Sequence, residues 1–149
     1  MTIFQHRDEK LYFDTCTISR LFDAIKTPDM EAEAEKIQEI IENRILGGYS
    51  IIGSMVVTSE IDDTGDDEKR EAIETLYSEI VADEVELSLQ SIARADILYS
   101  KGLGVMDSYH LAAAEAAGAD YLLTTDVDFI EKSAKPNFTA VKVINPLDF

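Results

Sequence analysis

"MDSYHLAAAEAAGADYLLTTDVDF", residues 106–129, carries a helix, a strand and the start of a second helix in one short segment. Five alanines between Leu111 and Gly118 favour a tightly packed helix, and the glycine ends it. "DYLLTT" then reads as a buried strand, and "DVDFIEKSA" as a short helix. A helix that runs directly into an apolar strand and out into another helix predicts α/β architecture. Its aspartates are placed unevenly. Asp107 opens the first helix, Asp120 lies in the turn, and Asp126 and Asp128 follow the strand.

The same alternation extends outward in both directions. "KLYFD" (10–14) reads as a short buried strand ending in an aspartate, and "TISRLFDAI" as a helix with Ile18, Leu21, Phe22 and Ile25 on one face. Thr27 and Pro28 announce a long helix, with Met30, Ala34, Ile37, Ile41 and Ile45 as its apolar stripe. "YSIIG" is a strand, and "SMVVTSEIDD" a helix capped by Ser54 with Val57, Glu60 and Ile61 on one face, despite its β-branched residues. "DDEKREAIETLYSEI" is a helix burying Ile73, Leu76, Tyr77 and Ile80. "VELSL" follows as a strand, "QSIARADILYSKG" as a helix closed by Gly102, and "TAVKVI" as the last strand. The connections are long enough for parallel crossovers. They predict one domain over residues 1–149, a three-layer α/β/α sandwich around a mostly parallel sheet of about five strands.

Composition narrows the setting. An apolar content of 46% supports a packed core, and no run approaches the roughly 18 apolar residues needed to span a bilayer. "MTIFQHRDEK" lacks the basic start and apolar core of a secretory signal, and a single cysteine, Cys16, suits a reducing compartment, so the cytoplasm is expected. The net charge of −17 is unevenly spread: eleven acids and two bases lie between Glu60 and Glu84. Such a charge repels polyanions unless it is segregated or screened by cations, and it also suits docking to a basic partner.

Open parallel sheets bind ligands at the carboxyl ends of their strands. Asp14 ends the first strand and Asp126 follows the fourth, so both should emerge at one edge. Glu60, on the helix after the second strand, and Asp107, in the first turn of its helix, could join them. Taken singly, Asp14 and Asp126 also suit helix N-caps, Asp107 a helix-dipole partner, and Glu60 a solvated helix residue. Asp128 suits a first-turn acid, and His110 a packed or hydrogen-bonded histidine rather than a general base. Taken together, clustered carboxylates must be protonated, paired or gathered around cations. No lysine or arginine lies within two residues of Asp14, Glu60, Asp107 or Asp126, which points to hard divalent ions, Mg2+ or Mn2+. His6, His110 and Cys16 do not form a zinc-spaced set. Carboxylate-held metals suit phosphodiester hydrolysis, because they activate water and screen the site from the phosphate.

In these residues the chain resembles a PIN domain. The resemblance runs through "LYFDTCTISRLF", "IIGSMVVTSEID", "GVMDSYHLAAAEAAGADYLLTTDVDF" and "VKVINPLDF", nearly the whole chain. It implies a Mg2+- or Mn2+-dependent endoribonuclease cutting single-stranded RNA to leave a 3′-hydroxyl and a 5′-phosphate. In many such proteins this is the VapC-type toxin half of a toxin–antitoxin pair. Its acids map onto Asp14, Glu60, Asp107 and Asp126, with Asp128 as an accessory metal ligand and Thr15 and Thr125 as supporting hydroxyls. Cys16 departs from the Asn or Ser often found two residues after the first acid.

The expected activity is thus ribonucleolytic, with an antitoxin protein and a second copy of the chain as candidate partners and no membrane. Arg20, Arg94 and Lys101 are candidate phosphate contacts. The alternative is a catalytically weak or inactive PIN-like binding module whose acidic surface engages a basic protein. A haloacid-dehalogenase-like phosphatase, suggested by "FDTCT", lacks the second acid where Cys16 stands.

Overall fold

The computed structural model describes residues 8–149, so His6 and the start of "MTIFQHRDEK" lie outside the described residues. Five strands form one sheet: β1 (Glu9–Phe13), β2 (Tyr49–Ser54), β3 (Val81–Val85), β4 (Tyr121–Leu123) and β5 (Lys142–Ile144). Their order is β3-β2-β1-β4-β5, and every neighbouring pair is parallel. Between them run α1 (Thr15–Ser19), α2 (Pro28–Asn43), α3 (Met55–Asp62), α4 (Asp67–Ile80), α5 (Leu89–Ser100), α6 (Val105–Ala116) and α7 (Val127–Ser133).

Successive side chains of a strand point to opposite faces, yet Leu11, Tyr12 and Phe13 of β1 are all buried. Both faces of the central strand are therefore covered, as parallel sheets require. Right-handed crossovers put the connections that step toward β3 on one face and those that step toward β5 on the other. The result is the three-layer α/β/α arrangement. The core runs through Leu11, Phe13, Ile51, Leu122 and Leu123 of the sheet and Ile37, Val57, Ile73, Leu98, Leu111 and Phe129 of the helices.

The helix starts obey local chemistry. Thr27 caps α2 through its hydroxyl, with Pro28 at the first position; Ser54 caps α3, Asp66 caps α4 and Ser88 caps α5. Gly102 and Gly118 turn the chain after α5 and α6 with φ of 109° and 67°, a region glycine enters without a Cβ penalty. Asp120 serves the turn before β4, accepting the Lys10 backbone N–H at 2.8 Å.

Three sequence expectations need correction. The helix from "TISRLFDAI" ends early: α1 tightens into a 3-10 turn over Arg20–Phe22, and Ile25 is 86% exposed. The chain must leave helical geometry there to enter Thr27 in the extended conformation that precedes Pro28. On α2 the buried face is Glu33, Ile37, Ile40 and Ile41, while Ile45 lies beyond the helix and is 84% exposed. Buried Glu33 is held by Arg20 at 3.3 Å and by the Asn145 amide at 2.6 Å, which a periodicity of apolar residues does not reveal. The third strand is "VADEV" rather than "VELSL". It begins directly after α4, pairs among the described residues with β2 alone, and exposes Ala82, Asp83 and Glu84. An edge strand guarded by charge carries no apolar alternation to read.

Candidate active site at the sheet edge

The strand order reverses direction between β1 and β4, which pair Phe13 against Leu123. This is the switch point where ligands enter open parallel sheets. Asp14 follows β1 there and caps α1, its Oδ1 accepting the Thr17 N–H at 3.0 Å. Asp126 stands beyond β4 and caps α7, its Oδ1 accepting from the backbone of Asp128 at 3.0 Å and Phe129 at 3.2 Å. The capping role weighed for each is real. Capping engages one carboxylate oxygen of each, Oδ1 in both.

The acids brought to this edge sense one another. Burial pushes the Asp107 carboxyl up from 3.8 to about 6, helped by the charges of Asp126, Asp14 and Glu60 and opposed by His110. The structure thus brings Asp14 and Asp126, the N-caps of α1 and α7, into one electrostatic neighbourhood with Glu60 of α3 and Asp107 of α6. Asp128, exposed like Asp126, pairs through its carboxylate with Lys132 at 2.8 Å.

The donors suit a hard divalent ion in kind, being carboxylates with uncancelled repulsion among them. Among the described residues, however, no three His, Cys, Asp or Glu side chains are close enough to hold a metal ion as they stand.

Glu60 has the most structured surroundings. Its Oε1 accepts the Thr15 hydroxyl at 2.7 Å and faces Nε2 of His110. Burial pushes this carboxyl up, but the His110 and Thr15 contacts outweigh it and hold it below the ordinary carboxylate range. His110 is buried, with Nδ1 2.8 Å from the Tyr12 hydroxyl, which lies 2.6 Å from the Ser54 hydroxyl. The expectation of a hydrogen-bonded histidine holds.

Around Asp14 the thiol of Cys16 donates at 3.0 Å to Oδ1 and 3.1 Å to Oδ2. Burial, with the charge and hydrogen bond of Asp14, pushes that thiol up to about 12, so it stays protonated as a donor. Thr17 also supports Asp14: its hydroxyl lies 2.9 Å from Oδ1 and 2.7 Å from the Leu123 carbonyl, and its one proton serves one of them at a time. Thr125 donates to the Cys16 sulfur at 3.2 Å rather than to an acid.

Comparison with solved structures decides the fold. VapBC2 from Rickettsia felis, solved bound to a promoter DNA fragment, matches with a TM-score of 0.60 at 12% identity, over 91% of this chain and 99% of that one. VapBC-1 from nontypeable Haemophilus influenzae matches at 0.59 and 18% identity, over 93% and 98%. VapC20 of Mycobacterium tuberculosis, a sarcin-ricin loop cleaving toxin, matches at 0.59 and 15% identity, over 89% and 98%. The fold is that of the VapC-type PIN domains. No family model matches the chain, and no curated protein matches it significantly.

Within this PIN fold the bases proposed from sequence are already engaged. Arg20 pairs with Asp23 at 2.8 Å, Arg94 makes a two-pronged contact with Glu115 at 2.7 and 3.1 Å, and Lys101 sits over the Phe138 ring. Glu115 is eight residues beyond Asp107 on α6, about 12 Å along the helix. The base that sequence reasoning missed is Lys132. Besides binding Asp128, its ammonium senses the charges of Asp107 and Asp126. Lys132 lies six residues beyond Asp126, and only the turn of α7 carries it back to the site. Tyr12 was missed too, because on a buried strand it reads as core.

Proposed function

We propose that this chain is a Mg2+- or Mn2+-dependent endoribonuclease that hydrolyses phosphodiesters of single-stranded RNA, working in the cytoplasm as the toxin of a type II toxin–antitoxin pair. The observation that carries the proposal is the neighbourhood of Asp14, Glu60, Asp107 and Asp126 at the switch point, where burial, reinforced by the neighbouring acids, raises the Asp107 carboxyl to about 6. The PIN fold, shared with the VapBC structures, supports the reading.

Asp14, Glu60, Asp107 and Asp126 are the groups that would hold the ion, with Asp128 at the margin. When bound, the ion supplies charge neutralisation and an acidified water. The chain does the rest. The caps of α1 and α7 fix Asp14 and Asp126 in direction, and Thr15 with His110 occupies one oxygen of Glu60. Lys132, tethered by Asp128, places a cation beside the acids where an RNA phosphate must approach. Because Lys132 is already paired with Asp128, it is bound divalent ions that would chiefly ease the conflict between a −17 chain and a polyanionic substrate. A basic antitoxin is the protein partner that this charge favours, and a homodimer is the expected assembly.

Incubation with unstructured RNA in Mg2+, Mn2+ or EDTA tests the proposal. Wild-type protein should cleave only with metal, and Asp14→Asn and Asp107→Asn should abolish cleavage and specific Mn2+ binding while keeping the fold. Wild-type protein that neither binds Mn2+ nor cuts RNA would overturn it. Mn2+ binding and basic-protein capture without any cleavage would instead support a binding module.

A further inference from the structure

A buried hydrogen-bond chain reaches the site from behind. Ser54, at the end of β2, lies 2.6 Å from Tyr12 of β1; Tyr12 lies 2.8 Å from Nδ1 of His110 on α6; and Nε2 of that ring meets Oε1 of Glu60 on α3. Thr15 of α1 donates to the same Oε1 at 2.7 Å. Tyr12 and Ser54 are wholly buried and His110 is 3% exposed, so the Ser54–Tyr12–His110 contacts are shielded from water, while Glu60 at their end is partly exposed. The Tyr12 and His110 rings also meet edge to face, with centroids 5.7 Å apart.

We infer that Ser54, Tyr12 and His110 are positioning residues that clamp Glu60 by one oxygen and present the other to the acidic site. The inference rests on the proposed metal-dependent reading for its purpose, but not for its geometry. A carboxylate oxygen only accepts, so Nε2 must carry a proton toward Glu60. Nδ1 is then free to be set by Tyr12, whose hydroxyl either donates to the ring or accepts from it. Ser54 supplies the complementary partner in both cases, while its own oxygen caps α3 by accepting from Val56 at 3.1 Å. Among the described residues, Oε2 of Glu60 receives no hydrogen bond. The clamp therefore removes one of the two oxygens from competition and fixes the rotamer of a residue on a short, eight-residue helix. Partners that orient a metal ligand in this way typically contribute 10–100-fold to metal affinity.

Two substitutions of His110 separate clamping from packing. The Gln amide nitrogen falls near the position of Nε2, and the Asn amide nitrogen near that of Nδ1. His110→Gln should hold Mn2+ affinity within about three-fold of wild type, whereas His110→Asn should weaken it about 10–100-fold. Tyr12→Phe, which keeps the ring and the packing, should weaken it several-fold by freeing the imidazole. The imidazole nitrogen NMR spectrum of the metal-free protein, simple because the chain has two histidines, should show a protonated Nε2 on His110. A bare Nε2, or equal losses for His110→Gln and His110→Asn in folded protein, would overturn the inference. If wild-type protein binds no Mn2+, the proposed function fails and the imidazole spectrum alone decides the clamp.

Discussion

Asp107→Asn should stabilise the folded protein at neutral pH, although it removes a residue placed at the heart of the candidate site. Moving a carboxyl from 3.8 to about 6 corresponds to about 3 kcal/mol at about 1.4 kcal/mol per unit. Asp107 is only partly buried, so solvent screening reduces this to about 1–2 kcal/mol. Its place in the first turn of α6 returns part of that, about 0.3–1 kcal/mol of helix-dipole stabilisation. The net expectation is a gain of about 1 kcal/mol for the amide at about pH 7.5 without divalent metal. The sign follows from proton binding. Asp107 is raised in the folded state, so the folded chain holds its proton more tightly than the unfolded chain. Its contribution to stability is complete below about 3.8 and is lost as pH rises through about 6. The advantage of the amide should therefore grow between about pH 5 and 7.5. Urea unfolding of both proteins at the two pH values, in EDTA, measures it. An amide variant that is less stable at pH 7.5, or an advantage that does not change with pH, would refute the electrostatic account. Saturating Mn2+ should reverse the order, because only the wild type keeps the full set of acids.

Further outcomes follow from the same contacts. Asp14→Ala should lose about 1 kcal/mol of stability through the α1 cap, whereas Asp14→Asn, also a good cap, should not; both should lose RNA cleavage. Urea midpoints beside cleavage assays separate those roles. Gly53→Ala should cost about 1–3 kcal/mol, because a Cβ there would stand 2.1 Å from the Tyr77 hydroxyl oxygen and 2.6 Å from the ring carbon bearing it. Chemical denaturation reads it directly. Cys16, with its thiol pushed up to about 12, should resist iodoacetamide at about pH 8 in the folded protein and react fully in urea; mass spectrometry follows the label. Cys16→Ser should retain Asp14 orientation and cleavage, because the hydroxyl is the stronger donor.

Much of this molecule is legible in its sequence. Thr27-Pro28 and Ser54 mark helix starts through chemistry that acts within three residues, and the structure puts caps at both. The continuous apolar runs around Leu11, Ile51 and Leu122 identify strands covered on both faces. What failed was information held elsewhere in the chain. Ile25 and Ile45 keep helical spacing past the point where the helix ends. Glu33 is buried because Arg20 and Asn145 meet it, and "VADEV" is a strand because β2 offers it an edge.

The acids follow the same division. Asp14 and Asp126 could be placed at one sheet edge from strand ends alone, since parallel strands all point the same way. The burial and neighbouring acids that raise Asp107, the base at Lys132 and the Tyr12–His110 clamp on Glu60 belong to the tertiary structure. Each depends on side chains from different elements meeting within a few ångströms. Local sequence sets the direction of a strand and the start of a helix, because those are governed by nearby backbone hydrogen bonds. Which groups share a dielectric pocket, and so which proton stays on which atom, is decided only when the crossovers close.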